Sequence, residues 1–176
     1  MPPSPSDLSA SLRCAERHLR QADPVMKRLI KEHGPCNLWH AKETSLFHSL
    51  ASAIIAQQLS MKAAETIQYR VMKATSNPLK PRSFLTAETD RLRSAGLSGS
   101  KISYICNLAE AIENGLSKRR LQHMQDAEAL DRLTTVKGIG RWTAEMYLIF
   151  GLRRMDVLSL GDAGLQRAAR TLYGAG

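Results

Sequence analysis

Leu133-Thr-Thr-Val-Lys-Gly-Ile-Gly-Arg-Trp-Thr-Ala-Glu-Met146 decides the reading of this chain. Gly138 and Gly140 flank one apolar residue, Ile139, so the backbone can turn tightly between two short helices and expose amides at the start of the second. A helix N-terminus carries partial positive charge and unpaired N–H groups, and Lys137 and Arg141 add two cations beside the turn. The pattern predicts a helical hairpin that holds an anion such as a phosphate. A plain hairpin with a glycine C-cap is the alternative for the same letters. Sixteen residues after Met146, Leu160-Gly-Asp-Ala-Gly-Leu165 places a lone carboxylate, Asp162, where a helix starts. N-capping alone would account for it.

Outward from the hairpin, helical periodicity dominates and no alternating strand pattern occurs, so the fold class is all-α. Leu8, Leu12, Ala15 and Leu19 form one stripe, and Asp23-Pro24 reads as the cap and first position of a helix ending near His33-Gly34. Phe47, Leu50, Ala51, Ile54 and Ile55 make a central apolar helix, with Ser60 capping the next, from Met61 to about Thr75. Pro78 and Pro81 are read as chain breakers. Helices follow over 87–95 with Gly96 past its end, over 99–114 with Gly115 past its end, and over 127–134 capped by Asp126. The second hairpin helix, from Gly140 to about Phe150, puts Trp142, Glu145, Met146 and Ile149 on one face, expected to be core. The last helix is expected to carry Leu165, Ala169 and Leu172 inward.

The 176 residues, 43% of them apolar, suffice for one core or two joined lobes. A net charge of +9 favours a polyanionic partner, although basic charge also suits a solvated surface or anionic lipid. Lys27-Arg28, Lys80-Pro-Arg82, Lys118-Arg-Arg120 and Arg153-Arg154 are read as exposed helix ends. Cys14, Cys36 and Cys106 are odd in number and widely spaced, which indicates neither a disulfide framework nor zinc, and suggests a reducing compartment. The first residues have no apolar signal core, and no apolar run is long enough to span a bilayer.

The hairpin, the segment Phe47-His-Ser-Leu-Ala-Ser-Ala-Ile-Ile-Ala-Gln-Gln-Leu-Ser60, Ala95-Gly-Leu-Ser-Gly-Ser-Lys101 and the Asp162 segment together resemble the helix-hairpin-helix (HhH-GPD) DNA glycosylase superfamily. The resemblance is closest to its alkylpurine branch, 3-methyladenine DNA glycosylase II. It implies a two-lobed helical fold with a groove between the lobes. Residues 1–44 would form part of the second lobe, 45–150 the core lobe with the hairpin over about 127–150, and 151–176 the aspartate loop and the start of a C-terminal lobe. The branch usually continues further, so C-terminal helices are expected to be missing from this chain.

The resemblance implies Asp162 as the catalytic residue, with Lys137, Gly138, Ile139, Gly140, Arg141 and Thr143 on DNA. Gln58 or Leu59 would be the wedge that fills the vacated stack when a base is flipped out. Trp142 and Met146 would face the base, with core packing the alternative for Trp142. Trp142 stands where bifunctional relatives carry a Schiff-base lysine, so hydrolysis without strand cleavage is expected. A monovalent cation at the carbonyls of Thr134, Val136 and Ile139 would follow relatives, whereas an iron–sulfur cluster lacks cysteine ligands. The implied enzyme is a monofunctional glycosylase that releases alkylated purines (3-methyladenine, 7-methylguanine) from duplex DNA. It would need no cofactor and would act as a monomer, in the nucleoid or the nucleus. The alternative is a non-catalytic or truncated DNA-binding module.

Overall fold

The computed structural model describes residues 5–37 and 43–174. The chain divides into two units, residues 1–42 with 158–176 and residues 43–157. In the first, α1 (Pro5–Ala22) and α2 (Pro24–His33) are joined at Asp23, whose Oδ1 accepts from the N–H groups of Val25 and Met26 at 2.7 and 3.0 Å. Pro24 needs no hydrogen bond at the first helical position, so the expected cap and start are the observed ones. Along α1, Leu8 is buried, and Leu12, Ala15 and Leu19 are half-buried.

α11 (Ala163–Tyr173) belongs to the same unit and differs from its expectation. None of its residues is buried, and Leu165 is exposed. Polar ties hold it instead: the Gln166 amide donates to the Leu160 carbonyl at 2.7 Å, and the Tyr173 hydroxyl donates to Asp23 Oδ2 at 2.7 Å. That last bond is the main reason the Asp23 carboxyl lies below its ordinary range.

The second unit is built on α3 (Leu46–Ala56), whose Leu46, Phe47, Leu50, Ala51, Ile54 and Ile55 are all buried. Around it stand α4 (Met61–Ala74), α5 (Pro81–Leu85), α6 (Thr89–Ser94) and α7 (Gly99–Glu113), followed by α8 (Lys118–His123), α9 (Asp126–Thr134) and α10 (Arg141–Met146). α10 runs on into a π-helical turn, Tyr147–Gly151. Phe47 meets Phe84 of α5 edge to face, 6.3 Å between ring centroids, which adds about 0.5–1.5 kcal/mol beyond burial.

Three local readings change. Pro81 starts α5 rather than only breaking the chain, because a first-turn position has no N–H to lose. Asp126 is the first residue of α9 and not its cap. It pairs with Arg154 at 3.2 Å, while Arg154 Nη2 also donates to the carbonyls of Leu121, Gln122 and Met124 at 3.2, 3.2 and 2.8 Å. Arg154 therefore closes the end of α8 and is no free surface cation, and Lys118 is likewise paired, with Glu43. Among the described residues there is no strand, and no helix is long and apolar enough to cross a membrane.

Candidate active site

The hairpin hangs on three pegs. Leu133, Val136 and Ile139 are buried in the core of residues 43–157, and two tight turns join them: Val136 N–H to Leu133 carbonyl at 3.1 Å, Ile139 N–H to Val136 carbonyl at 3.0 Å. Gly138 sits between the last two pegs at φ +101°, where an L side chain is strained. A Cβ there would also lie 2.4 Å from Cβ and Cγ of Tyr104 on α7. The turn can therefore lie against α7 only without a side chain.

Gly140 is different. It caps α10 at φ −82°, and a Cβ there would meet no heavy atom within 4 Å. The helical ladder opens with Ala144 N–H to the Gly140 carbonyl at 3.0 Å, so the amides of residues 141–143 precede its first rung beside this open surface. Lys137 and Arg141 are exposed on either side. Ile139 and Thr143 are only 4% and 5% exposed, so their contribution to an anion site is backbone, not side chain.

The turn after α3 is braced to the hairpin. Gln57 leaves the helix and Gln58 adopts φ +59°, which brings Leu59 to a 38% exposed position with its N–H on the Ala56 carbonyl. Gln57 Nε2 donates to the Gly138 carbonyl at 3.2 Å. From the other side, Lys101 Nζ donates to the carbonyls of Ile55 and Gln57 at 2.7 and 2.9 Å. An ammonium at a helix C-terminus satisfies carbonyls that the ladder leaves open. Partial burial holds the Lys101 pKa below the usual lysine range. The sequence reading singled out the segments containing Gln57 and Lys101, but gave neither residue a role.

On α10 and the π-helical turn that continues it, the core face is Ala144, Tyr147 and Leu148, all buried. Of the expected inward face, Glu145 is buried and Met146 and Ile149 are half-buried, while Trp142 departs from it. Trp142 is 50% exposed, so its core-packing alternative fails, while Met146 is half-buried. Glu145 is buried and accepts from Arg141 Nε at 2.8 Å, an i,i+4 pair within the helix.

Asp162 heads α11. Its Oδ1 accepts from Leu165 N–H at 2.7 Å, its own N–H donates to the Ser159 carbonyl at 3.1 Å, and the side chain is partly exposed. The hairpin, the Gln57–Ser60 turn and Trp142 lie in residues 43–157, while Asp162 lies in the other unit.

Residues 51–176 match the HhH-GPD superfamily of base excision DNA repair proteins. The chain belongs to that superfamily. It is 35% identical over 174 residues to DNA-3-methyladenine glycosylase 1 of Schizosaccharomyces pombe, covering 95% of this chain and 75% of the relative. It is 32% identical to the alkylbase DNA glycosidase-like protein mag2 of the same yeast, over 91% of this chain and 78% of that one. Among solved structures, the S. pombe 3-methyladenine DNA glycosylase in complex with abasic DNA superposes with a TM-score of 0.80 at 34% identity, covering 92% of this chain and 81% of that one. The DNA-3-methyladenine glycosidase of Bacillus halodurans superposes at 0.70 with 38% identity, over 88% and 76%. The family recognised from the hairpin and the aspartate segment, and the all-α class, are thus the correct ones.

Proposed function

We propose that this superfamily member is a monofunctional DNA glycosylase that hydrolyses the N-glycosidic bond of alkylated purines in duplex DNA, acting as a monomer. The carrying observation is Asp162. A single carboxylate, oriented by the Leu165 N–H at 2.7 Å, heads a helix in a chain that also has an open, cation-flanked hairpin. The names of the relatives, 3-methyladenine DNA glycosylases from two yeasts and two bacteria, support the substrate class.

The mechanism follows from where charge develops. As the bond to the base breaks, the deoxyribose takes on oxocarbenium character, and a carboxylate about 4 Å away at an effective dielectric near 20 is worth roughly 4 kcal/mol. That is about a thousandfold in rate. Asp162 supplies this charge and orients the attacking water. A purine alkylated at N3 or N7 already carries positive charge and leaves neutral, so it needs little acid assistance. This matches Glu145, the nearest acidic neighbour of Trp142 in sequence, being engaged by Arg141. The hairpin amides and Lys137 hold a backbone phosphate, Leu59 or Gln58 fills the vacated stack, and Trp142 offers an exposed ring for a cationic base, worth about 0.5–2 kcal/mol.

A monovalent cation at the hairpin would take the carbonyls of Thr134, Val136 and Ile139. The Val136 carbonyl already accepts from Ile139 N–H and keeps one lone pair for an ion, which would add positive charge toward a phosphate. The test is base release from methylated duplex DNA, read by chromatography. The wild-type chain should release methylpurines, and Asp162→Asn should bind DNA as tightly while release falls on the order of a thousandfold. Undiminished release by Asp162→Asn would remove Asp162 from the chemistry; no release by the wild type would leave a DNA-binding module.

A further inference from the structure

α4 starts where the braced turn ends, and one of its faces is basic. Lys62, Thr66, Arg70 and Lys73 recur at i, i+4, i+8 and i+11, which aligns them on one side of a helix. Lys62, Arg70 and Lys73 are exposed, and Arg91 of α6 is exposed beside them. Two open depressions adjoin along this face and share Arg70. One, of about 380 Å³, runs from Ser60 and Lys62; the other, of about 500 Å³, takes in Lys73 and Arg91. Asp90 is the one carboxylate lining either depression, and among the described residues none of these four cations forms an ion pair.

Four cations outside any ion pair, against one carboxylate, along one groove fit a linear polyanion. From Lys62 to Lys73 is 11 residues of helix, about 16 Å at a rise of about 1.5 Å per residue. Phosphates along one strand of B-DNA advance about 3.4 Å per step, so the groove matches roughly five of them. Cations spaced along one helix face suit a row of phosphates, whose contacts fix register and carry no sequence information. Position chooses duplex DNA over other polyanions. The groove begins at Ser60, which closes the turn bearing Gln58 and Leu59, and Gln57 of that turn is bonded to the hairpin at Gly138.

We propose that the α4–α6 groove is a second backbone-binding surface, taking phosphates of the duplex beyond those held by the hairpin. This rests on the reading that the protein acts on duplex DNA. The test is a variant carrying Lys62→Gln, Arg70→Gln, Lys73→Gln and Arg91→Gln, with its fold checked by circular dichroism. Binding to a 25-base-pair duplex bearing an abasic-site analogue (~85 Å) is measured from low to high salt, because each phosphate contact contributes about 0.9 to the slope of log affinity against log salt. The variant's slope should be shallower by about 2 or more, and its low-salt affinity lower by at least tenfold. On a duplex trimmed to the lesion and its immediate neighbours, variant and wild type should bind nearly alike. Should the quadruple variant fail to fold, the four single variants should each lower the slope by about 0.9. A folded variant with the wild-type slope would overturn the groove while leaving the glycosylase reading intact. A wild-type chain that binds no duplex at all would overturn both. Loss of binding to anionic lipid vesicles with DNA binding unchanged would also refute the assignment.

Discussion

The two hairpin glycines should fail in opposite ways. At Gly138, φ +101° places any L residue in strained backbone, costing about 1–2 kcal/mol. The added Cβ would lie 2.4 Å from Tyr104 Cβ and Cγ, and Cβ is fixed to the α7 backbone, so no rotamer change can swing it away. Overpacking of that kind costs about 1–3 kcal/mol, so Gly138→Ala should lose roughly 3 kcal/mol in all. For a chain of this size, that lowers the melting temperature by about 6–12 °C. Gly140→Ala meets no heavy atom within 4 Å and keeps an ordinary φ of −82°, so its melting temperature should stay within a few degrees of wild type. Its methyl would project from the cap of α10, where the proposed phosphate must approach, and should weaken binding to an abasic-analogue duplex by about tenfold, or 1.4 kcal/mol. Scanning calorimetry and fluorescence anisotropy separate the two effects. Gly138→Ala melting with wild type, or Gly140→Ala binding DNA as tightly as wild type, would refute the division of labour between them.

Three further outcomes follow from the same geometry. Lys101→Met removes the donor to the Ile55 and Gln57 carbonyls, so it should slow single-turnover release of a base paired in a duplex more than release of one opposite a gap, and Lys101→Arg should restore part of the difference. His48 accepts from Leu79 N–H at Nδ1, and desolvation holds its pKa below the usual value of 6.5. The unfolded chain then binds the proton more readily, so stability falls as pH drops below 6.5 until the lowered folded pKa is passed; His48→Asn, which keeps an acceptor, should flatten melting temperature across about pH 5 to 7. Asp23 has a folded pKa below 3.8, chiefly through the Tyr173 hydroxyl, so its contribution is present above 3.8 and fades as pH falls through the lowered value; Tyr173→Phe should speed amide exchange in α11 at neutral pH and reduce that acid dependence, the Val25 and Met26 N–H bonds keeping the rest.

Much of the architecture could be read from letters because its causes are local. Asp23 before Pro24 and Ser60 before Met61 cap their helices through bonds that span three residues or fewer. The apolar run of α3 is central because nothing else in the chain is so continuously hydrophobic. The second hairpin helix shows where periodicity stops deciding. Trp142, Met146 and Ile149 compete with Ala144, Tyr147 and Leu148 for the inward face, and both sets repeat at helical spacing. The pegs decide: with Ile139 buried, the helix emerges turned so that Ala144 points inward and Trp142 outward.

The bonds that make the candidate site a unit were invisible for a related reason. Gln57 reaches Gly138 across 81 residues, and Lys101 reaches Ile55 across 46. Neither link leaves a trace in composition or spacing, since Gln and Lys at helix ends are ordinary solvated residues elsewhere. Their consequence is mechanical. A Gln58 at φ +59° is uncommon for a non-glycine residue and holds only where its surroundings enforce it. Here the enforcement comes from an ammonium on one side and the hairpin carbonyl on the other. The Gln57–Gly138 bond gives the hairpin a direct link to the turn that carries Leu59. Substituting Gln57 should accordingly loosen the coupling between strand binding and base extrusion while leaving each element folded.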